Sequence, residues 1–487
     1  MVAVRVDLTP LFDALSANDE RVVIAQIAQI LADEIAGGVL AGRLSIPAAL
    51  GDTVGNAVPV LVAAGRLSDW IRVIPPGPEP GAVERRLIIP TVALTNAALF
   101  ADKAISDGLK QSKLDMPDPL FPKDIAHHEA AWGALRDAIS ARDVNLTGRI
   151  LMGFYGSGTD YREMEGALYY ALTARFAADG FPLLSVLAAT QALDYVDWGD
   201  RAPVLFKWLL PLLMRDGVEV EGAKAVRDYL AQPDHDLDFV RTRLAMSDPT
   251  AASAPLRQAV ATGGTSQVLE AVFQALKRGA NGPQAGAQIA VVAAEHLAGV
   301  PLDNADAVNR AQIALRVANT ARIAVTQVQD MRVLPIIFHA ANLVNQTIRQ
   351  DGTQRVPPVT GAVGSSLPGG LIESSILRNL ERQIGARDEA GTRATVRRYT
   401  QMNFPARSLL GTFGQVAART AVAADASGRG MLVAQAAGET FMALTPAQQA
   451  AEGMALLDAI AHVLIAQPSD QALARRVDQA LHLASGG

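Results

Sequence analysis

In the stretch ERVVIAQIAQILADEIAGGVLAG, beginning at Glu20, the large apolar residues fall at Val23, Ile24, Ile27, Ile30, Leu31 and Ile35. The steps 24, 27, 31 and 35 follow the helical period of about 3.6 residues, so one face is apolar. Asn18 and Asp19 supply a cap just upstream. The same texture recurs along almost the whole chain. It predicts a short helix from Thr9 to about Ser16, one opening at Ser45-Ile46-Pro47, and short helices over 59–66 and 69–74. Further helices are expected from about Thr91 onward, behind an Asp124 cap, through Leu151 ahead of a FYGSGTDY loop, and behind a Thr159 or Asp160 cap. Two more apolar helices follow, in FPLLSVLAATQALDYVDW and APVLFKWLLPLLMRDG. Beyond them the breaks at Gly, Pro and Asp predict helices over 217–231, 236–246, 251–262, 265–278, 284–298 and 303–330. The C-terminal part predicts 371–384, 388–401, 405–423, 429–441, 446–466 and 469–484. Strand-type alternation is missing throughout, so the fold class is all-α: a many-helix array or bundle with solenoid-like stacking of helix pairs.

Three irregular stretches suggest an organisation. PPGPEPGA at 75–82 reads as a stiff linker, Leu114–Lys123, with prolines at 117, 119 and 122, as a second irregular connection, and GTQRVPPVTGAVGSSLPGG at 352–370 as a Gly/Pro-rich loop, lid or linker. They suggest an N-terminal part over 1–120, a central core over 121–351 and a C-terminal part over 371–487, compatible with a single domain.

The stretch 331–350, MRVLPIIFHAANLVNQTIRQ, stands out. It predicts one long helix in which His339, Asn342 and Asn345 share roughly one side, among Ile336, Ile337, Phe338, Leu343 and Val344. Polar groups buried there need partners, because an unpaired one costs about 1–3 kcal/mol. An interior polar site and a helix with one wet edge both have this appearance.

Composition narrows the chemistry. The 487 residues are 50% hydrophobic and 5% aromatic, rich in alanine, with a net charge of −6. Acids and bases are interleaved without a basic block, so nucleic acid is not an expected ligand. The chain contains no cysteine, which excludes disulfides, thiolate metal sites and thiol catalysis. The N-terminal residues lack the charged and apolar regions of a leader, and no run of about 18 residues stays apolar, so a cytoplasmic protein with no membrane span is expected.

Seven histidines are present, at 127, 128, 235, 296, 339, 462 and 482. HExxH and Glu-x-x-His are absent. The available pieces for a metal site are His127-His128-Glu129, Glu295-His296 and His339. Neighbouring helical residues point about 100° apart, so only one of His127 and His128 can face a given site. His128, His296 and His339 on three helices, with Glu295 as a carboxylate, form the one candidate metal set; otherwise these are single hydrogen-bonded or solvated histidines. His235, between Asp234 and Asp236, reads as a surface cap, and His462 as a satisfied core histidine. GFYGSGTDY lacks the Lys-Ser/Thr of a phosphate loop, and Ser365-Ser366 lacks the G-x-S-x-G frame of a nucleophile elbow. The aromatic residues between 154 and 208 fit either a ligand cavity or plain core.

Three stretches share a texture: LIIPTVALTNAALF, GFPLLSVLAATQALDYV and LPIIFHAANLVNQTI, with AQIAVVAAEHLAG as a looser fourth. Either alanine-rich buried helices simply look alike, or these helices line a common interior with Asn96, Gln191, Glu295, His296, His339, Asn342 and Asn345. The segments YREMEGALYYALTARF, GFPLLSVLAATQAL and DRAPVLFKWLLPLL, with His127-His128 and FHAANLVN, resemble the questin-oxidase-like family over about a third of the chain. The resemblance implies a helical shell around a histidine-rich non-haem iron site that performs oxygen chemistry on polyketide aromatics. This chain has Phe181, Pro182 and Ser185 where the family would place histidine, and the lack of cysteine rules out a Rieske domain. Two functions follow as expectations. One is an apolar pocket for an aromatic or polyketide-like ligand in an iron-dependent oxygenase, with Asn342, Asn345, Gln191 and Asn96 as ligand contacts. The other is a non-catalytic helical scaffold that binds a protein partner. Homo-oligomerisation through alanine-rich faces is compatible with both.

Overall fold

The computed structural model describes residues 7–73, 82–111, 113–125, 128–244, 253–352, 372–419, 428–467 and isolated positions between 472 and 479. Most of the 75–82 linker and nearly all of the 352–370 loop lie outside the described residues. Within them the regular elements are helices, accompanied by a single isolated bridge between Ala177 and Glu219. The fold is all-α, as the apolar periodicity requires.

The N-terminal helices are α1 (Thr9–Ser16), α2 (Glu20–Ala32), α3 (Gly37–Gly51), α4 (Ala57–Val73), α5 (Ala82–Phe100) and α6 (Asp102–Leu109). The middle contributes α7 (His128–Ala141), α8 (Val144–Gly156), α9 (Tyr161–Ala174), α10 (Phe181–Val196), α11 (Ala202–Leu213), α12 (Ala223–Leu230), α13 (Ser253–Thr262), α14 (Thr265–Lys277), α15 (Gly282–Leu297), α16 (Ala305–Gln327) and α17 (Pro335–Asp351). The last are α18 (Glu373–Gly385), α19 (Glu389–Gln401), α20 (Ala406–Ala418), α21 (Arg429–Ala443), α22 (Pro446–Ala451) and α23 (Met454–Ala466).

Local chemistry explains many ends. The side chains of Asp19, Asp143, Asp160, Asn281, Asn304 and Asp388 each accept a hydrogen bond from a main-chain N–H in the first turn of their helix. Several expected boundaries differ. The helix expected to run from Glu20 to Gly42 breaks where Glu34 turns left-handed, at φ 62°, and α3 starts afresh at Gly37. Pro47, expected to open a helix, lies inside α3. The expected pair over 59–66 and 69–74 is one helix, α4, because the Ser68 hydroxyl donates back to the Ala64 carbonyl at 2.6 Å instead of capping. The described part of 236–246, up to Leu244, is not an α-helix: it holds the 3-10 turn Asp238–Arg243, preceded by another at Pro233–His235. Helix α8 extends through Gly156 into the expected FYGSGTDY loop, and 446–466 is split into α22 and α23. The stretch 331–350 begins as a 3-10 turn, Met331–Val333, and becomes α17 at Pro335, whose missing N–H suits a first turn.

One hydrophobic core cluster runs from Leu11 to Val477, so the three sequence-defined parts share a single interior. Helix α4 packs on α3 and α5 and also against α20 and α21 from the C-terminal part. Helix α16 lies centrally, against α15, α17, α21 and α10. Close approach depends on small residues: a Cβ on Gly38 of α3 would lie 1.9 Å from the Tyr195 ring of α10. Among the described residues no single helix is long and apolar enough to cross a membrane; one bent pair, Leu87–Phe100 with Asp102–Leu109 at 63°, meets the length and composition test together.

Candidate functional site

The three polar residues of α17 do not face one space. His339 is 1% exposed and stacks on Phe176, with ring centroids 4.9 Å apart. Neither ring nitrogen reaches a hydrogen-bond partner of good geometry. Burial pushes its pKa down to about 3; Arg227 acts in the same direction and the Thr173 main chain opposes them. Asn342 donates to the Glu221 carbonyl at 2.7 Å. Asn345 donates to the carbonyls of Val260 and Gly263, both at 2.9 Å, which ties α17 to the end of α13. These two asparagines tie α17 to the main chain of neighbouring segments.

The other expected residues are dispersed. His296 Nε2 lies 3.0 Å from Asp351 Oδ2, and Arg310 donates to the other oxygen of the same carboxylate. Glu295 pairs instead with Arg257 at 2.6 Å near the surface. Asn96 donates to the Ala418 carbonyl at 3.2 Å. His128 opens α7, and its side chain lies outside the described residues. His462 is buried, with Nε2 2.8 Å from the Val300 carbonyl, and His235 stacks on Tyr229.

This disposition bears on the iron implied by the family resemblance. His339 and Asp351 lie on one helix, separated by about 18 Å along its axis, and His296 is held at the Asp351 end. Ligands of a single ion lie about 2 Å from it. His296, His339 and Glu295 as placed do not fit one mononuclear site. Among the described residues no group of three or more His, Asp or Glu side chains is placed to hold a metal ion.

The polar interior forms elsewhere, where α4, α16, α20 and α21 meet. A cavity of about 470 Å³ lies between them. Arg66 and Trp70 come from α4, Arg322 and Ile323 from α16, Arg407 and Leu410 from α20, and Glu439 and Met442 from α21. Arg66 Nε donates to Glu439 Oε1 at 2.9 Å across 373 positions of sequence. Asn319 donates to Glu439 Oε2 at 3.1 Å, and Arg322 donates twice to the Asn319 oxygen, at 3.2 and 2.9 Å. Thr440 donates to the same oxygen at 3.0 Å. Gln435 reaches both Glu439, at 3.3 Å, and Gln191, at 3.1 Å. Gln191 is the one expected site residue that belongs to this network, two hydrogen bonds behind the cavity wall through Gln435 and Glu439.

The electrostatics are unbalanced. Among the described residues, three guanidinium groups line the cavity against a single carboxylate, Glu439. Burial lowers the Arg322 pKa; the Glu439 charge opposes that and Arg66 reinforces it. Arg66 goes the other way: burial lowers its pKa, but the adjacent Glu439 and Tyr195 outweigh burial and raise it. Trp70, Ile323, Leu410 and Met442 supply an apolar wall. A small cavity with an apolar wall and a few convergent charges has the anatomy of a ligand site.

None of these charged residues was singled out by the sequence. The signal was present but weak: Arg322 sits among alanine and apolar residues in IALRVANTARIAV, at a phase where neighbours are core. Comparison with family models, curated proteins and solved structures returns no match.

Proposed function

We propose that this protein binds a small amphipathic organic anion in the cavity between α4, α16, α20 and α21. The observation that carries this reading is Arg322: a buried guanidinium on the cavity wall whose hydrogen bonds go to a neutral amide rather than to a carboxylate. A buried charge needs a partner. An anionic ligand group supplies it, with Arg66 and Arg407 adding attraction and Trp70 offering a ring face. The volume falls within the usual range of small-molecule sites, about 300–1,000 Å³. This keeps the expected apolar pocket for an aromatic ligand and moves it from α17 to the α4–α16–α21 junction. The reading requires no redox step, and none is routed through His296 or His339.

The test is calorimetric titration with 2-naphthoate and with its neutral analogue 2-naphthalenemethanol. The expected result is binding of the acid at least about tenfold tighter than of the alcohol, with Arg407→Ala, an exposed position, weakening the acid several-fold and leaving the alcohol unchanged. Equal affinity for both, or no binding of either, overturns the reading and returns weight to the helical scaffold.

A further inference from the structure

The cavity between α4, α16, α20 and α21 holds more positive charge than a monoanion balances. Among the described residues its wall carries Arg66, Arg322 and Arg407 against the one carboxylate of Glu439, and the other lining side chains are uncharged. Asp69, next to Trp70 on α4, accepts instead from the Gly38 N–H at 3.3 Å and is not on the wall. Glu439 offsets one of the three cations, so two positive charges remain. A monocarboxylate would offset one more and leave a guanidinium without a counter-charge beside an apolar wall, which is unfavourable in a partly enclosed space.

The guanidiniums also keep donor capacity free of their protein partners. Arg322 uses Nε and Nη2 on the Asn319 oxygen, while its Nη1 makes no hydrogen bond among the described residues and is not a sealed atom. Arg322 is 8% exposed and lines the cavity, so that nitrogen opens onto it. Arg66 engages Glu439 through Nε alone. Arg407 is exposed and makes no hydrogen bond or ion pair among the described residues. Arg66 and Arg322 flank one end of the cavity: Glu439 accepts from Arg66 on one oxygen and, on the other, from Asn319, which supports Arg322. The three cations stand on three different helices. A carboxylate offers them two coplanar oxygens and one charge, whereas a terminal phosphoryl group offers three oxygens and nearly two charges at neutral pH. Guanidinium forks suit such oxygens well.

We infer that the ligand of this cavity is a phosphate monoester, whose dianionic phosphoryl group meets Arg66, Arg322 and Arg407 while its organic body lies against Trp70 and Ile323. The inference rests on the anion-binding reading above and narrows its ligand class from an organic anion to an organic dianion.

The experiment is calorimetric titration of the full chain with 2-naphthyl phosphate and 2-naphthyl sulfate, which share shape and body but differ in charge. Inorganic phosphate and 2-naphthoate serve as the body-free and single-charge references. At pH 7.5 the phosphate ester is expected to bind at least tenfold tighter than the sulfate ester and than inorganic phosphate. The second phosphoryl proton is gained near pH 6, so at pH 5 the phosphate ester is expected to lose most of that advantage while the sulfate ester stays within twofold. Arg407→Gln, at an exposed position, is expected to cut the phosphate-to-sulfate ratio at least threefold; thermal melting checks its fold. Equal affinity of the two esters at pH 7.5 overturns the inference, and so does an equal loss of both in Arg407→Gln. Inorganic phosphate binding as tightly as its ester also overturns it, since the body then contributes nothing. Binding of 2-naphthoate without either ester overturns the dianion class and leaves the single-anion cavity standing. Failure of all four probes removes the parent reading and this one together.

Discussion

Arg322 rests on Asn319, one helical turn away, and the Asn319 amide donates onward to Glu439. A buried cation thus meets its counter-charge through a neutral side chain. Asn319 satisfies both charges at once, so Asn319→Ala removes two hydrogen bonds from Arg322 and one from Glu439. The expected cost is about 2–3 kcal/mol of unfolding free energy. Urea denaturation measures it, and a loss below about 0.5 kcal/mol would show that the relay contributes nothing.

Glu439 opposes ligand anions while it steadies the cavity. Glu439→Gln keeps the shape and removes the competing charge. A carboxylate several ångströms from a bound anion repels it by about 1–2 kcal/mol at an intermediate dielectric. The variant is therefore expected to bind 2-naphthoate roughly tenfold more tightly while melting at a lower temperature. Unchanged affinity would place the ligand away from Glu439.

His339 predicts an acid-sensitive term. Its pKa is about 3 when folded, against an ordinary value of 6.5. Between these values the unfolded chain holds a proton that the folded chain does not, so stability falls as pH drops from about 6.5 towards 3. The slope approaches about 1.4 kcal/mol per pH unit for one proton. His339→Leu is expected to flatten the difference in unfolding free energy between pH 6.5 and 4.5 by about one proton's worth. Parallel profiles for the wild type and the variant would refute this.

Asp458 has the opposite sign. Burial pushes its carboxyl from 3.8 up to about 6; Arg393 and Arg397 hold it down and Glu389 adds to the rise. The folded state holds the extra proton between those values, so its stabilising effect is full below about pH 4 and is lost as pH rises through 6. Asp458→Asn is expected to gain about 1–3 kcal/mol at pH 7.5 and almost nothing at pH 4. Thermal melts at the two pH values decide the point, and an equal shift at both would exclude the titration as its cause.

The sequence by itself determined the helical class and many helix starts, because both depend on near neighbours. A period of about 3.6 residues places apolar side chains on one face, and an Asp or Asn at the right position caps the next turn whatever lies elsewhere. It also showed that α17 carries three polar groups in one phase. The tertiary structure decided what those groups do. The amide of Asn345 reads the same in sequence whether it meets a loop carbonyl or a ligand; packing against α13 gives it Val260 and Gly263. Likewise nothing local distinguishes Arg66 or Glu439 from ordinary surface charges. Their meeting across 373 positions depends on how α4 and α21 pack, and helix packing is set by surfaces that come together only in the folded chain.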